Sequence, residues 1–424
     1  MKNIDSKRIF ITGISAITPF GNGLDAIFEA IKSGKTAYGQ IEHIDVSTWP
    51  VKAGGFIPDL NPGSQGLFDR KLKNMPKYVR LGVASADAAF KNARLDEKPV
   101  SADRLGAFVA TGANGNNAEG LFPAFSQSKA EDNSLDLSRF AHEGLDQIHP
   151  LWLLATISNN LIFFVTHFFR ALGANSNYCN SAIAGASAID KAVESLLLDE
   201  IDAAIVGGVD CTVNWQMFSD MAALGILAEG DVSKVCPLRP FSETSPGSIL
   251  SDAGCFMIIE TEESCIRRGI TPIAVVRKTA FERLSTDHFK PSPDGMETEN
   301  VLKKLLAEVN PESVIQINAN GIGVPSWDAP EKKGLLEALE NRNYSISSAK
   351  SWVGNTHSVS FALETAMSAW SLYKQLGIGF SDLKNRSELS DWSNATTETL
   401  NHDFAVNLGQ CFGGSTAGVL LSVV

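Results

Sequence analysis

Short apolar runs alternate with helical periods along almost the whole chain, and no other feature constrains the fold as much. RIFITGISAIT reads as a strand running into a Gly-Asn turn, and LDAIFEAIKSG follows as a helix closed by Gly34. KYVRLGVASADAAFKNA has the period of a second helix, LGAFVATG that of a buried strand, and the stretch from Leu151 to Phe169, LWLLATISNNLIFFVTHFF, that of a long apolar helix. NSNYC, AIAGASAIDKAVESLLL and DAAIVGGVD then give strand, helix and strand. The theme repeats downstream. AGCFMIIET and PIAVVRKTAFE read as strands, VLKKLLAEV as a helix, SVIQINANG as a strand and APEKKGLLEALEN as a helix. SVSFALETAMSAWSLYKQL predicts a long amphipathic helix, and DFAVNLGQCF with TAGVLLSVV a hairpin-like pair around Gly413 and Gly414. Such alternation predicts an α/β fold with a mainly parallel sheet and helices on its faces.

At 424 residues the chain exceeds one typical core, and no long Pro/Ser linker divides it. Two similar lobes packed as one body are expected, over residues 1–260 and 261–424. The net charge of -12, without any basic run rich in aromatics, argues against nucleic acid as a partner. The six cysteines are scattered with no C-x-x-C pair, which fits reduced thiols in a cytoplasmic protein and offers no metal site. The N-terminus lacks a signal-type apolar core. The Leu151–Phe169 run approaches the minimum length of a membrane span, but Asn159, Asn160 and His167 interrupt it. A helix buried in a core or a subunit interface is expected there, with no membrane span.

Several ordered motifs carry a family resemblance: RIFITGISAITPFGNG, the unit ending in DAAIVGGVD, PLRPFSETSPGSILSDAG, NANGIGVPSWDAPE, ISSAKSWVGN and CFGGSTAG. Together they resemble the β-ketoacyl-carrier-protein synthases over nearly the full length. The resemblance implies a duplicated thiolase-like fold of layered helices and mixed sheets (αβαβα), and no cofactor. It also implies a cysteine at a strand-to-helix turn that takes the acyl group, and two histidines that assist decarboxylation and stabilise negative charge.

Each of those positions is altered. Counting back from Gly208 by the family's spacing lands on Ala182, and the gapless match of AIAGASAI to C-x-x-G-x-x-x-I agrees. Cys179 lies three residues too early and is expected within the strand as a buried structural thiol. NANGIGVP puts Asn320 at the first histidine, with Ile322 and Val324 replacing the threonines that hold the pantetheine arm. KSWVGN keeps Lys350 and puts Asn355 at the second. His357 is expected to cap or line the following helix. Thr244 to Gly247 and Gln410, beside Phe412 in the gating loop, depart as well. Alanine forms no thioester, and asparagine has no proton equilibrium near neutral pH.

The resemblance therefore implies a subunit released from condensation, similar to the chain-length factors that pair with an active ketosynthase in polyketide, aryl-polyene or unusual fatty-acid synthesis. Its expected partners are that ketosynthase, in a heterodimer, and an acyl carrier protein bearing the growing chain. Trp152 and Leu153 match the segment that reaches the partner's tunnel, and Asn114 a position that lines it. Phe163, Phe164, Phe168 and Phe169 would wall a pocket or fill a dimer core. A decarboxylase supplying starter units and a homodimeric acyl or carrier-protein binding protein are the alternatives.

Overall fold

The computed structural model describes residues 7–60, 75–112, 118–229, 238–381 and 401–424. Its main sheet runs, edge to edge, Asn343–Ser347, Val314–Asn318, Phe404–Gln410, Thr416–Ser422, Ala274–Glu282, Ile9–Thr18, Ala253–Thr261, Ala203–Asp210, Leu105–Thr111 and Asn175–Tyr178. Numbering the first five of these strands and the last five in chain order, both sets read three, two, four, five, one from their outer edge. The fold is thus duplicated strand for strand. Within each set two neighbouring pairs are parallel and two antiparallel, so the sheet is mixed rather than mainly parallel as expected. The sets join through one short antiparallel seam, Ile9↔Val276, Phe10↔Val275 and Ile11↔Ala274.

Helices complete five layers. Ala184–Leu197 and Ser360–Lys374 pack on each other and on strands of both sets, forming the middle layer. Lys77–Asn92 and Asn160–Phe169 cover the outer face of the last five strands, and Met296–Leu306 with Pro325–Ala338 that of the first five. Ser360–Lys374 is not amphipathic: every residue from Ser360 to Ala369 is buried. A helix enclosed on all sides needs its hydroxyls satisfied internally, and Thr365 and Ser368 donate to the Phe361 and Glu364 carbonyls at 2.7 and 2.8 Å.

The run expected as one long helix over Leu151–Phe169 is two, Trp152–Thr156 and Asn160–Phe169, broken where Ile157 turns extended (φ -76, ψ 129). Among the described residues no helix is long and apolar enough to cross a membrane.

Candidate functional site

The strand Asn175–Tyr178 ends at a tight turn before the helix Ala184–Leu197. Ser181 there takes φ +56, a left-handed conformation strained for a serine, and Ala182 follows in a single 3₁₀ turn. The helix N-terminus at this turn has backbone N–H groups without intrahelical partners. Ala182 offers them a methyl group where acyl transfer would need a nucleophile. Cys179 sits one residue beyond the strand, where it was expected inside it. Its sulfur accepts from Asn177 Nδ2 at 3.1 Å and lies 3.3 Å from Thr111 Oγ1.

Asn320 follows the strand Val314–Asn318 on a buried loop anchored by two carboxylates. Glu331 accepts the Asn320 and Gly321 N–H groups at 2.7 and 2.9 Å, and Asp328 those of Ile322 and Gly323, both at 3.0 Å. Burial pushes both carboxyls up to about 7. The Asn320 Oδ1 accepts from Lys350 Nζ and from the Gln410 N–H, each at 3.2 Å, while its buried Nδ2 has no partner among the described residues. Lys350 in turn lies 2.7 Å from Glu364 Oε1, both side chains being 1% exposed. Burial raises the Glu364 carboxyl to about 7, and the Lys350 ammonium opposes that rise.

Asn355 is equally enclosed. Its Oδ1 accepts the His357 N–H at 3.1 Å and its Nδ2 donates to Ser248 Oγ at 3.3 Å. The loop after Phe404–Gln410 closes the group. Gln410 Nε2 donates to Thr416 Oγ1 at 3.1 Å, and the Phe412 ring meets Trp327 edge-on at 5.7 Å. Cys411, between them, has its thiol raised by burial and donates to the Asn180 carbonyl at 3.6 Å. Asn320, Lys350, Glu364 and Gln410 are joined by these contacts, while Asn355 is held separately through Ser248 and His357.

His357 does not serve the following helix as expected. Its Nε2 lies 2.9 Å from Ser181 Oγ and its Nδ1 2.9 Å from Asp210 Oδ2. Sequence reasoning passed over Ser181 and Asp210. Their only local signals are a serine before Ala182 and an acid after the Gly207-Gly208 pair.

The apolar segment divides between two roles. Leu153 is 63% and Phe163 59% exposed, and Trp152 is half-buried. Phe164, by contrast, is 5% exposed and packs in this chain's own core with Leu161 and Val165, which replaces the pocket-wall expectation with a core role. Phe168 and Phe169 are half-buried against the same core. Asn114 lies outside the described residues.

Comparison with known proteins agrees with this geometry. The family descriptions "Beta-ketoacyl synthase, N-terminal domain" and "Beta-ketoacyl synthase, C-terminal domain" match residues 6–264 and 273–377. A 3-oxoacyl-[acyl-carrier-protein] synthase 2 of Synechocystis sp. is 26% identical over 359 residues, 84% of this chain and 83% of that protein. That of Coxiella burnetii is 22% identical over 424 residues, 99% of each. Among solved structures, the ishigamide ketosynthase/chain length factor superposes with a TM-score of 0.84 at 18% identity, over 99% of each chain. A type II PKS acyl-carrier protein in complex with its ketosynthase bound to the hexaketide, AntDE:AntF, gives 0.84 at 19%, again over 99% of each. With both family descriptions matched in order on a duplicated five-layered fold, the chain belongs to the β-ketoacyl synthase family.

Proposed function

We propose that this chain is a non-condensing chain-length factor, which pairs with an active ketosynthase and shapes the tunnel holding a carrier-bound acyl chain. One observation carries the reading. By motif register Ala182, Asn320 and Asn355 fall at the family's three reactive positions, beside a buried Lys350–Glu364 pair and a carboxylate-anchored loop around Asn320. A chain that had merely decayed would not keep a buried ion pair, whose parts are costly when mismatched. The exposed Leu151, Leu153, Ile157 and Phe163 give the region an apolar character suited to a partner subunit.

The experiment is the native mass of the complex purified through a tag on this chain from its own host. A one-to-one assembly with an intact ketosynthase is expected, and in that pair small and large replacements of Leu153 shift product length. A homodimer of this chain alone would remove the reading.

A second expectation concerns repair. The triple variant Ala182→Cys, Asn320→His, Asn355→His is expected to show no robust condensation of malonyl and acyl carrier-protein substrates. Gln410 donates its N–H to the side chain at 320, Asn355 Oδ1 fixes the His357 amide, and Ile322 and Val324 stand where the resemblance expects the threonines that hold the pantetheine arm. Turnover comparable to an active ketosynthase would show the site to be dismantled at those three positions only.

A further inference from the structure

Ser181, His357 and Asp210 stand in a line that condensation has no use for. Asp210, at the end of the buried strand Ala203–Asp210, accepts at Oδ2 from Ser358 Oγ at 2.7 Å, from the Ser358 N–H at 3.3 Å and from His357 Nδ1 at 2.9 Å. Holding the proton on Nδ1 leaves Nε2 as an acceptor, and Ser181 Oγ lies 2.9 Å from it. Ser181 occupies a strained strand-to-helix turn (φ +56), and His357 also takes a left-handed φ of +50, held by the Asn355 side-chain carbonyl through its N–H. Two strained residues meeting over one hydrogen bond need a reason. Neither Ser181 nor His357 is fully enclosed.

We propose that Ser181, His357 and Asp210 are a second acyl-transfer centre, in which Ser181 takes an acyl group from a thioester and passes it to water. In the first half-reaction Ser181 Oγ attacks the carbonyl carbon as His357 Nε2 removes the hydroxyl proton; the C–S bond then breaks, and the imidazolium returns the proton to the departing thiolate. Water then gives its proton to His357 and attacks the ester, the C–Oγ bond breaks, Ser181 recovers its proton, and a free carboxylic acid leaves. The Ala182 and Ile183 N–H groups, in the turn that opens Ala184–Leu197, are the donors for the oxyanion. The choice of a thioester rests on the acyl-carrier reading above; the serine chemistry does not.

The test uses the purified full chain with two probes, a fluorophosphonate for the serine and butyryl-N-acetylcysteamine as thioester. Covalent labelling at Ser181, found by peptide mass spectrometry, and release of free thiol are expected. Ser181→Ala and His357→Gln each lower thiol release by about 100-fold or more, the scale of one general base. Ser181→Cys keeps nearly the same volume and is expected to retain a butyryl group as a mass increment, which separates lost chemistry from lost folding. Hydrolysis by Ser181→Ala at the parent rate, or a parent chain neither labelled nor acylated, would overturn the proposal. Neither result bears on pairing with a ketosynthase, which native mass decides separately.

Discussion

Replacing Lys350 by methionine is expected to destabilise the protein by about 3–5 kcal/mol, the cost of leaving one member of a buried pair unmatched. The ammonium lies 2.7 Å from Glu364 Oε1 and 3.2 Å from Asn320 Oδ1, and its charge also acts on Glu331. Methionine fills most of the volume, so packing contributes little of the loss. The pH dependence follows from the carboxyl. Burial holds Glu364 at about 7 against an ordinary 4.5, so between those values the folded chain keeps a proton that the unfolded chain has released. Glu364 therefore disfavours folding progressively as pH rises through that window. Without Lys350 the carboxyl rises further, and the deficit of the variant is largest above pH 7 and smallest near 4.5. Urea unfolding of both proteins at pH 5 and pH 8 checks this; equal midpoints at pH 8 would refute it.

The second large effect is expected at Gly185, where the two middle-layer helices touch. A Cβ there would meet Ala362 N at 2.7 Å, Ala362 Cβ at 3.2 Å and Phe361 Cβ at 3.3 Å. Backbone cannot turn aside as a side-chain tip can, so the helices must separate. Gly185→Ala is expected to cost about 1–3 kcal/mol, and Gly185→Leu to leave no soluble folded protein. Gly185→Ala melting with the parent protein would mean that the middle layer has slack. Gly185 belongs to the first turns of the helix that follows Ser181, so the alanine variant is also a sensitive probe of the site's geometry.

What could be read from the sequence follows from burial. Ile9–Thr18 and Ala203–Asp210 are buried at every position, and Ala253–Thr261 at all but its last, so they appear as predominantly apolar runs without a polar face. Asn343–Ser347 escaped notice because it lies at the sheet edge and begins with an exposed asparagine. Ser360–Lys374 was found as a helix but given a polar face, because its serines and threonines look exposed until their bonds inside the helix are known. The break at Ile157–Asn159 falls where Asn159 and Asn160 interrupt the apolar run, a dip weighed against a membrane span and not taken as a helix end. Ala182, Asn320 and Asn355 could be singled out because motif register is a local property of the sequence. The contact of His357 with Ser181 and Asp210 was not. Those residues lie 176 and 147 positions away in the chain, and only the folded middle layer brings them together.

The middle layer also sets the order of events during synthesis. The helix Ala184–Leu197 emerges from the ribosome with its strands, but its apolar cover is Ser360–Lys374, made more than a hundred residues later. Until then the first half is a sheet with an uncovered inner face, and the seam at Ile9–Ile11 still lacks Ala274–Val276. Apolar surface left uncovered in this way favours aggregation, so the nascent first half gains from protection until its cover is made.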